Sequence, residues 1–264
     1  MVSDINPKKS LGQHWLHDES VLDAICDAAG VSASDHVLEI GPGLGTLTER
    51  ILAKNAVVTA VEFDHDLAVA LKKRVHGATD ANLSVVESDI LSFDLTSLPA
   101  NYKVVANIPY YLTSNLLRVL CESQNPFSTA ALLMQKEVAE RAVAGPGSMS
   151  VLSISTQYYC EASLGVFVPA RLFTPPPKVD SQVLVLKYRA SPLFPDVDTK
   201  MFFRLVKAGF SQKRKTLLNS LSAGLHLPKT DIKIILESAG IRLQARPQEL
   251  GLDDWYRLYI SHQS

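Results

Sequence analysis

The sequence has few of the features that cross-link a chain or anchor it in a membrane. Its three cysteines, Cys26, Cys121 and Cys160, lie far apart and are odd in number, which argues against a disulfide framework or a zinc site. No apolar run reaches the length of a membrane span. The first nine residues contain no apolar core of the kind found in a signal peptide. These absences predict a cytoplasmic protein that binds no metal and is not attached to a membrane.

Strong net charge is also absent, but the charges are unevenly distributed. The formal net charge is −1, which taken alone argues against a nucleic-acid partner. From Lys187 onward there are thirteen basic and seven acidic residues, so this part carries about +6 and residues 1–186 carry about −7. A basic end on an acidic body predicts that the C-terminal part holds a polyanion. Charge alone equally allows a helical surface with solvated lysines.

Apolar periodicity in the first half of the chain alternates between strand and helix. Residues 18–29 have apolar positions at helical spacing, with Asp18 as the predicted N-cap. Strands are predicted at 36–40, 56–63, 83–87, 103–106 and 129–134, and further helices are predicted at 46–54 and 67–75. This alternation predicts an α/β fold with a parallel, doubly wound, Rossmann-like sheet.

The pattern changes after about residue 150. Strands are predicted at 151–158, 164–168 and 183–188, and the three prolines at 175–177 predict an extended loop. Helices are predicted at 199–222, 229–239 and 247–261. We therefore expect two domains, a Rossmann-like catalytic domain at 1–190 and a small all-α domain at 191–264.

A glycine loop follows the first buried strand and precedes a helix. Gly41, Gly43 and Gly45 allow a tight turn whose backbone N–H groups can approach a ligand. Glu62 lies 21 residues after Gly41, at the end of the next strand, where a carboxylate can accept both hydroxyls of a ribose. The spacing G-x-G-x-G differs from the dinucleotide G-x-G-x-x-G and is typical of S-adenosylmethionine enzymes. The alternative is an ordinary turn between strand and helix.

A second carboxylate, Asp89, ends the third predicted strand of the sheet. At this position it can accept a hydrogen bond from the adenine amine of a nucleoside cofactor. It could instead serve only as the N-cap of a helix that begins at Ile90. The preceding glycines and Glu62 favour the cofactor role.

Asn107-Ile108-Pro109-Tyr110 resembles the N-[LIP]-P-Y box of methyltransferases that act on the exocyclic amine of adenine. The Asn107 side-chain oxygen and the Ile108 carbonyl can accept both hydrogens of the amine, while Tyr110 offers a face for stacking the base. Phe173 is a second stacking candidate. The alternatives are an Asn-x-Pro turn at the end of a strand and, for Phe173, a core aromatic residue.

Ordered sequence blocks along the chain together resemble the KsgA-type ribosomal RNA adenine dimethyltransferases. These blocks are Lys8 to Leu16 (KKSLGQHWL), Glu39 to Gly45 (EIGPGLG) with Asn107 to Tyr110 (NIPY), Phe173 to Ser181 (FTPPPKVDS) and Phe210 to Leu217 (FSQKRKTL). The resemblance implies S-adenosyl-L-methionine as the methyl donor and dimethylation of two adjacent adenosines near the 3′ end of small-subunit rRNA. It also implies that the substrate is a pre-30S particle, and we expect a monomer.

In this family the N-terminal segment covers the cofactor, which implies cofactor contacts by His14 and Leu16, as well as by Asn107. Many members have asparagine where this chain has His14 and phenylalanine where it has Trp15. A backbone contact at position 14 would survive the change, whereas a side-chain contact need not.

A basic cluster in the C-terminal part is predicted to contact RNA. Lys213, Arg214 and Lys215 are placed on a predicted helix, with Arg204 and Lys207 upstream. Such clusters bind phosphates without reading sequence. Two other functions are open: a large-subunit rRNA adenine methylase of the macrolide-resistance type, and a non-catalytic RNA-binding assembly factor.

Overall fold

The computed structural model describes residues 7–8, 12–109, 112–212 and 214–263. The chain forms two compact units, one of residues up to 140 together with 160–188, the other of residues 141–159 together with 189 onward. Residues 141–159 thus pack with the second unit, although the sequence pattern placed them in the first domain. Among the described residues, no helix has the length and apolar character needed to cross a membrane.

The first unit is built around a sheet of seven strands. The strands of this sheet are β2 (His36–Ile40), β3 (Val57–Glu62), β4 (Leu83–Glu87), β5 (Lys103–Asn107), β6 (Thr129–Gln135), β7 (Cys160–Val168) and β9 (Ser181–Tyr188). The two-residue strands β1 (Trp15–Leu16) and β8 (Phe173–Thr174) pair with each other outside it. The order in the sheet is β4-β3-β2-β5-β6-β9-β7. Strands β2 to β6 pair in parallel, and β9 pairs antiparallel with both β6 and β7. The predicted doubly wound sheet is confirmed.

Helices flank the parallel strands of this sheet. Helix α1 (Glu19–Ala28) precedes β2, helices α2 (Thr46–Ala53), α3 (His65–Arg74) and α4 (Thr113–Cys121) connect parallel strands, and α5 (Lys136–Ala142) follows β6. The predicted cap of α1 is confirmed, because the Asp18 carboxylate accepts a hydrogen bond from the Val21 backbone N–H at 3.1 Å. The central strands β2, β3, β5 and β6 are buried on both faces, as expected for a parallel sheet covered by helices, whereas the edge strands β4 and β7 are partly exposed.

The second unit is helical within its described residues. It contains α6 (Val151–Tyr159), α7 (Thr199–Phe210), α8 (Leu217–Leu225), α9 (Lys229–Ser238) and α10 (Leu252–Gln263). Its core is rich in aromatic side chains, with Tyr158 and Phe202 stacked at a ring-centroid distance of 5.4 Å. Trp255 is fully buried in the same cluster.

The prediction of a strand at 151–158 is wrong, because this segment is helix α6. Valine, isoleucine and tyrosine favour strands locally, but burial of Ile154 and Tyr158 in the helical core overrides that preference. Ser150 and Ser153 also stabilise the start of the helix, since each hydroxyl accepts from the other residue's backbone N–H, at 2.7 and 3.2 Å.

The prediction of a single helix at 199–222 is also wrong. Helix α7 ends at Phe210 and α8 begins at Leu217, and the described residues between them are not helical. The Leu217 backbone N–H bonds the Ala245 carbonyl at 2.8 Å instead of continuing α7. The helix predicted at 247–261 is likewise divided into a short 3₁₀ turn at Pro247–Glu249 and α10.

Candidate active site at the carboxyl ends of the strands

A cavity of about 400 Å³ opens in the first unit beside the ends of β2, β3, β4 and β5. The chain leaves β2 toward β3 on one side, and β5 lies on the other, so the strand order reverses between β2 and β5. In open α/β sheets this reversal creates a crevice at the carboxyl ends of the strands, where ligands bind. The volume suits a small-molecule ligand.

The glycine loop forms one wall of this cavity. Gly41 and Gly43 have φ of +65° and +58°, a conformation that side chains other than glycine rarely adopt. A Cβ on Gly41 would lie 3.9 Å from the Asn107 carbonyl oxygen. The two sequence motifs are therefore adjacent in space.

Gly45 differs from the other two glycines, because it is not among the residues that line the cavity. It is the N-cap of α2, with φ of +88°. A Cβ at this position would lie 2.5 Å from Val75 Cγ2 and 3.0 Å from Leu71 Cδ1. Close packing against α3 and its C-terminal end explains the glycine here, and the predicted cofactor contact by Gly45 has no support from this position.

Glu62 ends β3 and lines the cavity, as expected. Its two carboxylate oxygens accept backbone N–H groups, from Gly43 at 3.1 Å and from Asp64 at 2.9 Å. Burial raises the pKa of the carboxyl, and these backbone hydrogen bonds partly offset that effect. The bonds fix the side chain while each oxygen retains a lone pair for a ligand hydroxyl.

Asp89 follows β4 and precedes a turn at residues 90–92, not the helix considered from the sequence. Its Oδ1 accepts from the Leu91 backbone N–H at 2.9 Å, as a capping side chain would. The residue also lines the cavity. One carboxylate oxygen therefore orders the loop, and the other can serve a ligand.

Asn107 lies at the end of β5 with its side-chain orientation fixed. Its Nδ2 donates to the His14 carbonyl at 3.1 Å, so its amide oxygen is available to accept. Ile108 is 1% exposed, and its backbone N–H bonds the Leu133 carbonyl at 3.0 Å. Asn107, Ile108 and Pro109 line the cavity. Tyr110 lies outside the described residues.

The segment from Gly12 to Leu16 forms a further wall of the cavity. His14 Nδ1 donates to the Pro175 carbonyl at 2.7 Å, and β1 pairs antiparallel with β8. Leu16 is buried, and its carbonyl accepts from the Thr46 hydroxyl at 3.1 Å. Phe173 on β8 is 3% exposed, belongs to the core cluster and also lines the cavity.

Several lining residues were missed by the sequence interpretation. Phe63 is 60% exposed directly after Glu62, and Ile90 is buried directly after Asp89. Both could have been inferred, since each follows a predicted ligand residue at a strand end. Trp15 also lines the cavity, and its indole nitrogen is buried without a hydrogen-bond partner in the described part of the chain.

Glu39, in β2, is the least expected residue of the wall. It is 1% exposed, and neither carboxylate oxygen has a hydrogen-bond partner among the described residues. Burial raises the pKa of this carboxyl to about 8. Within the described ranges, no group of three or more His, Cys, Asp or Glu side chains is placed to hold a metal ion.

The predicted RNA-contacting residues belong to the second unit. Arg204 and Lys207 are exposed one turn apart on α7. Arg214 and Lys215 are exposed, but they lie in the turn before α8, so their predicted helical placement is wrong. Lys213 lies outside the described residues.

The strand order, the glycine loop and the cavity define a Rossmann-like S-adenosylmethionine-dependent methyltransferase. A family model described as ribosomal RNA adenine dimethylase matches residues 5–263. The chain belongs to the ribosomal RNA adenine dimethylase family, and the resemblance inferred from the sequence blocks is confirmed.

Relatives of known name agree with this assignment. Ribosomal RNA small subunit methyltransferase A of Dehalococcoides mccartyi is 38% identical over 98% of this chain and 89% of its own length. The protein of the same name from Rippkaea orientalis is 42% identical over 94% of this chain and 95% of its own length. A crystal structure of a dimethyladenosine transferase from Plasmodium falciparum superposes with a TM-score of 0.82, at 30% identity over 95% of this chain and 98% of that one. A crystal structure of the 23S rRNA methyltransferase ErmE superposes with a TM-score of 0.74, at 28% identity over 95% of this chain and 100% of that one.

Proposed function

We propose that this protein transfers methyl groups from S-adenosyl-L-methionine to N6 of two adjacent adenosines in the 3′-terminal hairpin of small-subunit (16S) rRNA. The product is N6,N6-dimethyladenosine, the substrate is a pre-30S particle, and the modification contributes to maturation of the 30S subunit. The enzyme acts as a cytoplasmic monomer. The observation that carries the proposal is Asn107, whose amide oxygen is left as an acceptor beside the glycine loop.

The residues of the cavity fit the proposed methyl donor. Glu62, at the end of β3, would accept the ribose hydroxyls, and Asp89, just after the adjacent strand β4, would accept the adenine amine. Gly41 and Gly43 would lie against the methionyl part, between these carboxylates and Asn107. His14 and Leu16 would cover it from the N-terminal segment. The donor supplies an electrophilic methyl group on a sulfonium.

The protein's own contribution to transfer is orientation of the adenine amine. The lone pair of this amine is delocalised into the ring, so the nitrogen is a poor nucleophile. Hydrogen bonds from the amine to the Asn107 amide oxygen and the Ile108 carbonyl would draw the nitrogen toward tetrahedral geometry. Tyr110 and Phe173 would stack on the flipped base. Most of the rate gain then comes from proximity and orientation.

The second unit would hold the RNA through phosphate contacts. Arg204 and Lys207 on α7 and Arg214 and Lys215 in the turn before α8 would supply the positive charge, together with Lys213. A hairpin loop is a suitable target, because its bases leave their stack at low cost.

Offering isolated unmethylated small and large ribosomal subunits separately, with labelled S-adenosylmethionine, tests this substrate. We expect label in small-subunit rRNA only. Label in large-subunit rRNA would favour the macrolide-resistance activity, a candidate that gains some support from the likeness to ErmE. Binding of small subunits without label in either would favour a non-catalytic assembly factor.

A further inference from the structure

Glu39 is a buried carboxyl group to which the proposed mechanism gives no role. It lies one residue before the end of β2, is 1% exposed and forms part of the cavity wall. Both oxygens are shielded from solvent and lack hydrogen-bond partners within the described residues. An ionised carboxylate in such a place is strongly destabilised unless a compensating charge is supplied.

The neighbours of Glu39 supply no such charge. Glu62 on β3 is a second carboxyl group, and its negative charge works against ionisation of Glu39. Thr48 on α2 favours ionisation in part, although it forms no hydrogen bond of ordinary geometry. Cys26 on α1 is a thiol whose pKa is raised to about 12 by burial, so it stays neutral. With burial as the largest cause, the pKa of Glu39 rises to about 8.

The described wall of the cavity contains acidic side chains without basic ones to balance them. Its described lining includes three carboxyl groups, Glu39, Glu62 and Asp89, but no lysine or arginine. A wall of this composition favours a ligand that carries positive charge. The methionyl end of the proposed methyl donor carries an ammonium and a sulfonium against one carboxylate, so it is positive overall, and the sulfonium charge disappears when the methyl group leaves.

We propose that Glu39 is the charge-sensing group of this site, which gives up a proton when a cationic ligand enters and regains it when that ligand leaves. The inference rests on the proposed function, because the cation is that of S-adenosylmethionine. An opposite charge within roughly 4–6 Å lowers a carboxyl pKa by about 1–3 units. Because the carboxyl is shielded, it would act electrostatically and need not touch the ligand.

The direction of the pH dependence follows from this coupling. In the free protein Glu39 is protonated below about pH 8. A bound cation lowers the pKa, so binding releases a proton and becomes tighter as pH rises. Affinity should increase by up to about tenfold per pH unit between the lowered and the free pKa. Above about pH 8 it should level off, because Glu39 is then ionised before the ligand binds.

Isothermal titration calorimetry at pH 7, in buffers of different ionisation enthalpy, counts the protons released on binding. We expect release approaching one proton for S-adenosylmethionine and none for 5′-methylthioadenosine, which lacks both cationic groups. Release with S-adenosylhomocysteine would identify the ammonium as the sensed charge, and its absence the sulfonium. Equal release with methylthioadenosine would overturn the inference.

Two variants assign the proton to its source. Glu39→Gln, which keeps the size of the side chain, should bind S-adenosylmethionine with no proton release. Cys26→Ser removes the neighbouring thiol and should release as many protons as the wild type. Retained release in Glu39→Gln would overturn the inference. If that variant does not fold, a pH-independent wild-type affinity between pH 6 and about 8 would overturn it instead.

The same titrations separate this inference from the proposed function. Failure of S-adenosylmethionine to bind the wild-type protein would contradict both. Binding without proton release would contradict the charge-sensing role of Glu39 alone.

Discussion

The side-chain amide of Asn107 donates a hydrogen bond to the backbone carbonyl of His14 across 3.1 Å. This bond joins the end of β5 to the N-terminal segment that lines the same cavity. It also fixes which end of the Asn107 amide can act as acceptor. The proposed cofactor cover and the proposed adenine acceptor are thereby linked through one side chain.

Replacing Asn107 with alanine should impair chemistry much more than substrate binding. Loss of one preorganised hydrogen-bonding group at a reacting centre typically lowers the rate by about 10²–10³-fold. Single-turnover methyl transfer measures the rate, and filter binding measures RNA affinity in parallel. Asn107→Ala that transfers methyl groups at the wild-type rate would contradict the assigned role of this residue.

Gly45→Ala should destabilise the fold through overpacking. The added Cβ would lie 2.5 Å from Val75 Cγ2, and overpacking of this kind costs about 1–3 kcal/mol. Gly77→Ala is the matched control, since Gly77 also has positive φ, +78°, but a Cβ there meets nothing within 4 Å. Urea denaturation gives both free energies of unfolding. Equal losses in the two variants would show that backbone conformation alone accounts for the effect.

Trp15 should report cofactor binding by fluorescence. The chain has only two tryptophans, and Trp255 is buried in the core of the second unit. We expect S-adenosylhomocysteine to change the emission of the wild type and to leave that of Trp15→Phe unchanged. Calorimetry on the same variant checks that binding persists. An undiminished fluorescence change in Trp15→Phe would place the ligand away from this segment.

Removing Arg214 and Lys215 together should weaken RNA binding and flatten its salt dependence. Each lost phosphate contact reduces the slope of log K against log salt by about 0.7–0.9. Lys229→Ala with Lys233→Ala removes the same charge from α9 and serves as the control. The contact assignment fails if the two double variants show equal slopes.

The sequence was sufficient to predict the parallel strands of the sheet and several of the residues that line the cavity. Strands with continuous apolar runs, a glycine loop and polar residues at strand ends follow local rules, so Glu62, Asp89 and Asn107 were all predicted where they lie. The role expected of Gly45 could not be judged in this way. Its glycine is required by contacts with Val75 and Leu71, which are distant in sequence.

The second unit was predicted less well because distant contacts decide its local structure. Residues 151–159 have strand propensity but pack as a helix around Tyr158. The break after Phe210 accompanies tight packing of Gly209, where a Cβ would lie 2.5 Å from the Trp255 ring. Neither contact leaves a signal in the local sequence, so Arg214 and Lys215 were placed on a helix that ends before them.

The central claim is that this protein dimethylates adenosine in small-subunit rRNA. Its most direct test is incubation of unmethylated 30S particles with labelled S-adenosylmethionine, followed by nucleoside analysis of the rRNA, with the slower variant Asn107→Ala as the control. We predict N6,N6-dimethyladenosine at two adjacent positions near the 3′ end. Monomethyladenosine as the final product, or no labelled adenosine at all, would contradict the account.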